Sequence, residues 1–294
     1  MKRYGKQIAI GVIMLLTGGA FVWYVLSHPD YLAKLAHTDP LALVWLFLVN
    51  AALLGTLILL YRQLIRLCGS DINPMQNVLL TIYSSVANFF GPLQSGPGVR
   101  AIYLKKKLGI SIARYTFATL LYYACFAVLN VFLLLVSTRP IWQVALAIIC
   151  AVTGSAVVLR WYTKRKNAVI ANKMHLTGGL LASIAGLTLL QVLFLTVRYY
   201  IDLTATGTSV SVGQAASYTG AANLALFVSI TPDGIGIREA FLLFSQQLHG
   251  VSTDHIVSAS LLDRASYVLF LAVIFIGAMV TQGTKKLTSF RTGV

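Results

Sequence analysis

Two short stretches of this 294-residue chain share one pattern of spaced glycines and arginine: Gly96-Pro97-Gly98-Val99-Arg100 and Gly234-Ile235-Gly236-Ile237-Arg238. Each lies shortly after a proline, Pro92 or Pro232. Glycine and proline interrupt the helical hydrogen-bond ladder, so a new helix begins beyond them. The first N–H groups of that helix are free and carry partial positive charge. An arginine just inside it adds a full charge and a planar fork of donors. Together they suit an anionic group, phosphate above all. A plainer reading also stands: each arginine could bond carbonyls released by the glycine break.

The other candidates are few, because the chain has only 8 Asp and Glu residues in total. Glu239 follows Arg238 directly, so the two side chains point to different sides of a helix. It is either a functional ionisable group or half of a structural pair with Arg264 or Arg198. Asp263 and Arg264 form a second anion contact or a buried pair. Arg198 is a weaker candidate, since a long side chain near the end of a span can reach back to the interface. Asn88 and Asn223 are placed to hydrogen-bond between helices. Tyr122, Tyr123, Tyr199 and Tyr200 read as packing or interfacial aromatics. Neither the five histidines nor Cys68, Cys125 and Cys150 show metal-ligand spacing, so no metal or cofactor is expected.

The elements that position these residues belong to a membrane protein. Hydrophobic residues make up 57% of the chain and charged residues 11%, well short of the share that soluble domains carry. Mean hydropathy is +0.79. The net charge of +15 comes from basic residues placed mostly at the ends of apolar runs. That placement orients spans in a membrane and argues against nucleic-acid binding. Hydropathy predicts an all-α bundle with six full spans, roughly 7–27, 41–64, 112–137, 140–160, 177–200 and 255–281. The first is read as an uncleaved span, for want of a convincing cleavage site. Stretches 75–108 and 212–250 are apolar but broken by glycine and proline.

Charge placement fixes the topology. Lys2, Arg3 and Lys6 hold the amino terminus in the cytoplasm, and Lys285, Lys286 and Arg291 hold the carboxyl terminus there. Arg62 and Arg66 before the first broken stretch, and Lys105, Lys106 and Lys107 at its end, put both its ends inside. The second broken stretch then begins and ends outside. The two dip in from opposite faces, as an inverted repeat requires. The sequence shows the repeat as well: Gly109-Ile110-Ser111 matches Gly250-Val251-Ser252. Beyond that, Ala118, Leu120, Leu121 and Ala124 match Ala259, Leu261, Leu262 and Ala265 without a gap. The upstream register is thinner, with Arg62 roughly opposite Arg198 and Asn88 opposite Asn223. The expected organisation is one transmembrane domain, 1–294, with repeat units at about 41–137 and 177–281.

The stretch Pro232-Asp233-Gly234-Ile235-Gly236-Ile237-Arg238-Glu239-Ala240 resembles the P-x-G-[IL]-G-x-x-E-A motif of flippase-like membrane proteins, the transmembrane-domain family of lysylphosphatidylglycerol synthases. Asp263-Arg264 resembles the arginine-bearing helix that follows that motif. Ser95 to Arg100, Tyr103-Leu104 and Leu108-Gly109-Ile110 resemble its earlier motif. The similarity runs from about residue 5 to 285. Asp233 before the glycine, and a proline inside the first G-x-G, depart from the pattern and leave the substrate open.

The resemblance implies the cytoplasmic membrane of a bacterium or archaeon. In the multidomain synthases, the corresponding part is similar to a flippase for the aminoacylated lipid. Ending at Val294, this chain is expected to lack the aminoacyltransferase domain, and no enzyme activity is expected. The leading expectation is translocation of an anionic phospholipid or a polyprenyl-linked lipid through a groove formed by the two hairpins. Arg100, Arg238, Glu239, Arg264, Asp263, Arg198, Asn88 and Asn223 would line it, with Gly96, Gly98, Gly234 and Gly236 shaping it. Expected partners are membrane lipids. The alternatives are a non-transporting partner of a lipid-modifying enzyme and, behind it, an enzyme acting on lipid-linked phosphate. The second lacks the usual histidine, carboxylate or metal constellation. A small-solute transporter is disfavoured, because the polar residues are few and mostly cationic.

Overall fold

A computed structural model describes residues 36–90, 95–170, 174–228, 234 and 236–291, with isolated positions before residue 36. The expected span 7–27 lies almost wholly outside the described residues, as do Pro92, Pro232, Asp233 and Ile235. Among the described residues every regular element is helical: α1 (Pro40–Leu67), α2 (Pro74–Phe90), α3 (Gly96–Leu108), α4 (Ile112–Leu135), α5 (Ile141–Ile170), α6 (Gly178–Thr204), α7 (Val212–Val228), α8 (Ile237–Phe244), α9 (Gln246–His249) and α10 (Thr253–Arg291). Five helical stretches are long and apolar enough to cross a membrane: Pro40–Leu67, Ile112–Leu135, Ile141–Trp161, Gly178–Thr204 and Thr253–Val280. The chain is a polytopic helical membrane bundle.

Local chemistry sets the helix ends. The Asp39 carboxylate accepts the Leu41 N–H at 3.0 Å, and Pro40 occupies the first turn, where no N–H is needed. The Ser111 and Thr177 hydroxyls cap α4 and α6 by accepting the N–H groups of Arg114 and Leu180. The spanning helices are apolar all round, so they divide their surface between lipid and bundle. On α1, Leu46, Leu53, Leu60 and Leu64 face inward while Leu41, Trp45, Leu48 and Leu59 face outward.

The two halves align at an offset of 138 residues through the glycine motifs and of 141 from Gly109 and Gly250 onward. Helices α6, α7 and the second glycine motif begin 138 positions after α1, α2 and the first motif (Pro40 to Gly178, Pro74 to Val212, Gly96 to Gly234). Helices α2 and α7 are both 17 residues long. Left-handed glycines recur at matching joints: Gly69 and Gly207 after the first long helix, Gly109 and Gly250 before the last. Only glycine enters that region at little cost, which explains the Gly-Ile-Ser and Gly-Val-Ser pair. This register corrects the thin upstream alignment. Leu60, not Arg62, stands opposite Arg198, and Asn223 faces Ser85 in register rather than Asn88.

Packing follows the same symmetry. Helix α1 packs along its counterpart α6, α4 packs on α7, and α10 packs on α2. The His175 N–H donates to the Leu67 carbonyl at 3.0 Å, so α1 ends where α6 begins and the two run antiparallel. Arg114, in the first turn of α4, donates to the Cys68 carbonyl at 3.0 Å, so α4 starts at that same end. Helix α4 is 24 residues long, about 36 Å at the helical rise. At its far end the Ser137 hydroxyl donates to the Gly213 carbonyl at 3.0 Å, where α7 starts. The α2–α3 hairpin and the α7–α8 hairpin therefore enter the bundle from opposite ends.

Close approach makes these hairpins compact. A Cβ on Gly220 of α7 would lie 2.6 Å from the Asn130 carbonyl oxygen of α4. The neighbouring Ser217, Ala221 and Ala225 are fully buried, a small-residue seam typical of helices packed within membranes.

Candidate functional site

In the first hairpin, α3 starts against α2 because residue 96 lacks a side chain. A Cβ there would lie 2.6 Å from the Ser84 carbonyl oxygen and 3.0 Å from the Asn88 Cβ. Gly98 has no such neighbour within 4 Å, so close packing does not require it. The Ser95 hydroxyl donates to the Ala87 carbonyl and ties the turn down. One turn into α3, Arg100 is 5% exposed. Its Nε donates to the Tyr115 hydroxyl and its Nη1 to the Ser84 hydroxyl, both at 2.8 Å. Its guanidinium lies 3.7 Å from the centroid of the Tyr61 ring. These groups are all neutral, and among the described residues no carboxylate pairs with it.

The second hairpin is held by charge. Gly236 takes a φ of +82°, and its N–H donates to the Glu239 carboxylate at 2.9 Å, which caps α8. The other Glu239 oxygen pairs with Arg264 at 2.6 Å and accepts the Ser260 hydroxyl. Glu239 thus locks the broken helix to α10 and satisfies an N–H freed by the break. Arg238 donates through Nη2 to the Tyr199 hydroxyl at 2.8 Å and to Asp263 Oδ2 at 2.6 Å. Arg198 pairs with Asp263 Oδ1. One buried carboxylate therefore bridges two buried arginines from α6 and α8.

Several readings change. Arg198 does not reach for the interface: it is 7% exposed and bound to Asp263. Asp263 and Arg264 are neighbours but not a pair, because adjacent helical side chains diverge. Tyr122, Tyr123 and Tyr199 are more than packing, since all three line the interior cavity. Asn223 donates to the Asn130 side chain across the bundle at 2.8 Å. Arg62 and Arg66 meet Asp71 at the helix end, and the Arg62 hydrogen bonds hold the Asp71 carboxyl down at about 2.

Two residues escaped the sequence reading. Asp202, just past the expected span 177–200, is fully buried in the last turn of α6, close to Arg198, Arg238 and Asp263. Its spacing of four from Arg198 was the available signal. Asn50, 1% exposed on α1, has no hydrogen-bond partner on either side-chain atom among the described residues. A lone asparagine within an apolar span was the clue there.

These parts surround one cavity of about 190 Å³ where the halves meet. Arg100 and Arg238 both line it, with Arg198, Asn50, Asn88 and Asn223. Matched positions face each other across it: Tyr61 and Tyr199, Leu57 and Leu195, Phe126 and Tyr267. Glu239, Asp263 and Arg264 stand behind its wall. An arginine at the centre of a membrane helix costs about 2.5–3.5 kcal/mol, so three on one cavity require a reason. Among the described residues no cluster of three His, Cys, Asp or Glu side chains is placed to hold a metal. The Cys68 thiol is raised to about 12 by burial, which leaves it a packing group.

Inverted helical halves, broken hairpins and a cationic interior cavity define a class of multi-pass membrane protein. Comparison with known families gives the rest: the chain matches the lysylphosphatidylglycerol synthase TM region over residues 7–274, and it belongs to that family. No curated protein matches it.

Proposed function

We propose that this protein carries an anionic lipid between the leaflets of a bacterial or archaeal cytoplasmic membrane, with both termini in the cytoplasm. The observation that carries the reading is the convergence of Arg100 and Arg238, from hairpins of opposite entry, on a single cavity between the halves. A headgroup held there is equidistant in kind from both faces, because each hairpin offers the same broken helix and arginine to one side. Rocking one half against the other would open the cavity to one leaflet and then to the other, with the tails remaining in lipid. Polar side chains share the lining with an apolar wall from Leu53, Leu54 and Leu226, which suits an amphipathic substrate better than a free polar solute.

The test is leaflet exchange. Purified protein in liposomes that contain a fluorescent anionic phospholipid should expose inner-leaflet probe to a membrane-impermeant quencher. Protein-free liposomes should keep about half of it protected. A wild-type protein that leaves protection unchanged for both anionic phospholipid and polyprenyl-phosphate probes would overturn the proposal.

A further inference from the structure

The two equivalent arginines do not do the same work. In the second half, Arg198 and Arg238 share Asp263, with Asp202 buried beside them, and Arg264 is paired with Glu239. Each of these three arginines thus has a carboxylate partner, Asp263 or Glu239. In the first half, the positions corresponding to Arg198, Asp202, Glu239, Asp263 and Arg264 are Leu60, Leu64, Ala101, Tyr122 and Tyr123. Only the arginine survives. Tyr122, where Asp263 would be, donates its hydroxyl to Gln191 at 3.0 Å and offers no charge.

We infer that Arg100 is the anchor of a binding site for one phosphate group carrying a single negative charge, and that Arg238 is a structural strut. This deepens the translocator reading and rests on it for the lipid nature of the ligand. Among the described residues this buried guanidinium meets two hydroxyls and an aromatic face but no carboxylate, and a bound anion would supply the counter-charge. A second observation points the same way: the Asn50 amide, almost wholly buried, lines the same cavity with neither its donor nor its acceptor used. Arg100, Asn50 and Asn88 present charge and amide groups toward one space, while Leu53, Leu54 and Leu57 line the remainder of the α1 wall. Arg100 is the cavity-lining arginine without a carboxylate contact among the described residues, and the single negative charge of a phosphodiester would supply one. A phosphomonoester dianion or a diphosphate would bring more negative charge than this one cation.

Binding to the detergent-solubilised full chain tests this, with short-chain phosphatidylglycerol, a short polyprenyl monophosphate, inorganic phosphate and short-chain diacylglycerol as calorimetric probes. Phosphatidylglycerol should bind best and diacylglycerol worst. Arg100→Gln should weaken phosphatidylglycerol at least about tenfold, the worth of a charge-assisted hydrogen bond, and Arg100→Lys should restore part of it. Tyr122→Asp, which gives the first half the carboxylate of the second, should also weaken binding about tenfold in protein that a thermal melt shows to be folded. Competition by inorganic phosphate would assign the site to the anion alone; lack of competition would assign it to the lipid headgroup. The inference is overturned if a folded Arg100→Gln or Tyr122→Asp protein binds like wild type, or if diacylglycerol binds as well as phosphatidylglycerol. Tighter binding of the monophosphate overturns the single-charge assignment. Wild type that binds but does not exchange lipid sinks translocation alone; wild type that exchanges while Arg100→Gln still binds sinks this inference alone.

Discussion

Position for position, the two hairpins of this protein solve one problem in different ways. Each begins a helix inside the bundle and carries an arginine one turn in. In the second, Glu239 caps the new helix, Arg264 holds Glu239, and Asp263 ties Arg238 to Arg198. In the first, the close fit of Gly96 against Ser84, a serine hydroxyl and three neutral partners of Arg100 suffice. A scaffold of paired buried charges ties its arginines to neighbouring helices. A hairpin fixed by packing leaves its cation available. The same helical geometry occurs in both halves, and a handful of side chains sets them apart.

Substitutions can break that comparison. The largest effect is expected at Asp263. Asp263→Ala leaves two buried arginines without their carboxylate and should lower stability by about 3–5 kcal/mol. Tyr122→Phe at the matching position loses a neutral hydrogen bond, about 1 kcal/mol. Thermal unfolding in detergent measures both, and equal losses would erase the distinction between the halves.

Next come the glycines. Gly96→Ala forces a methyl toward the Ser84 carbonyl oxygen and should cost about 1–3 kcal/mol, whereas Gly98→Ala should fall within about 0.5 kcal/mol of wild type. A large loss at Gly98 in the same unfolding experiment would mean that the first hairpin is not held by packing at residue 96. Gly109→Ala and Gly250→Ala sharpen the opposite side of the comparison. Both residues have φ near +65° (Gly109 +65°, Gly250 +68°), so each change should cost about 1–2 kcal/mol. Unequal losses would show that the joints have diverged as the hairpins have.

The smallest effect lies outside the membrane. Asp71 is half exposed, and its pairing with Arg62 lowers its carboxyl to about 2. A depressed carboxyl stabilises above its unfolded value, near 3.9, and the benefit fades as pH falls toward 2. Solvent screening holds it to at most about 1 kcal/mol. Asp71→Asn should remove that part of the acid dependence of unfolding, and an unchanged acid limb would show that the pair contributes nothing.

Much of this was legible in the residues. Apolar runs of span length, glycine and proline at the breaks, and basic residues at the ends are local signals, and they located five spanning helices and both hairpins. The equivalence of Arg100 and Arg238 was also visible, because duplication preserves spacing. Partner choice was not. Asp263 and Arg264 read as one unit in the chain, yet a helix turns successive side chains apart and sends them to different elements. Arg198 read as an interfacial cation until the fold brought α10 against α6. Asp202 lies beyond the expected span 177–200, yet the last turn of α6 buries it.

The sequence by itself determined that the chain spans a membrane, where its helices break and which positions repeat, since hydropathy, backbone interruption and spacing are properties of short segments. Tertiary structure decided which arginines meet a carboxylate and which one, Arg100, meets only neutral groups among the described residues. That outcome depends on helices crossing from distant parts of the chain, where a few ångströms in low dielectric separate an ion pair from a binding site.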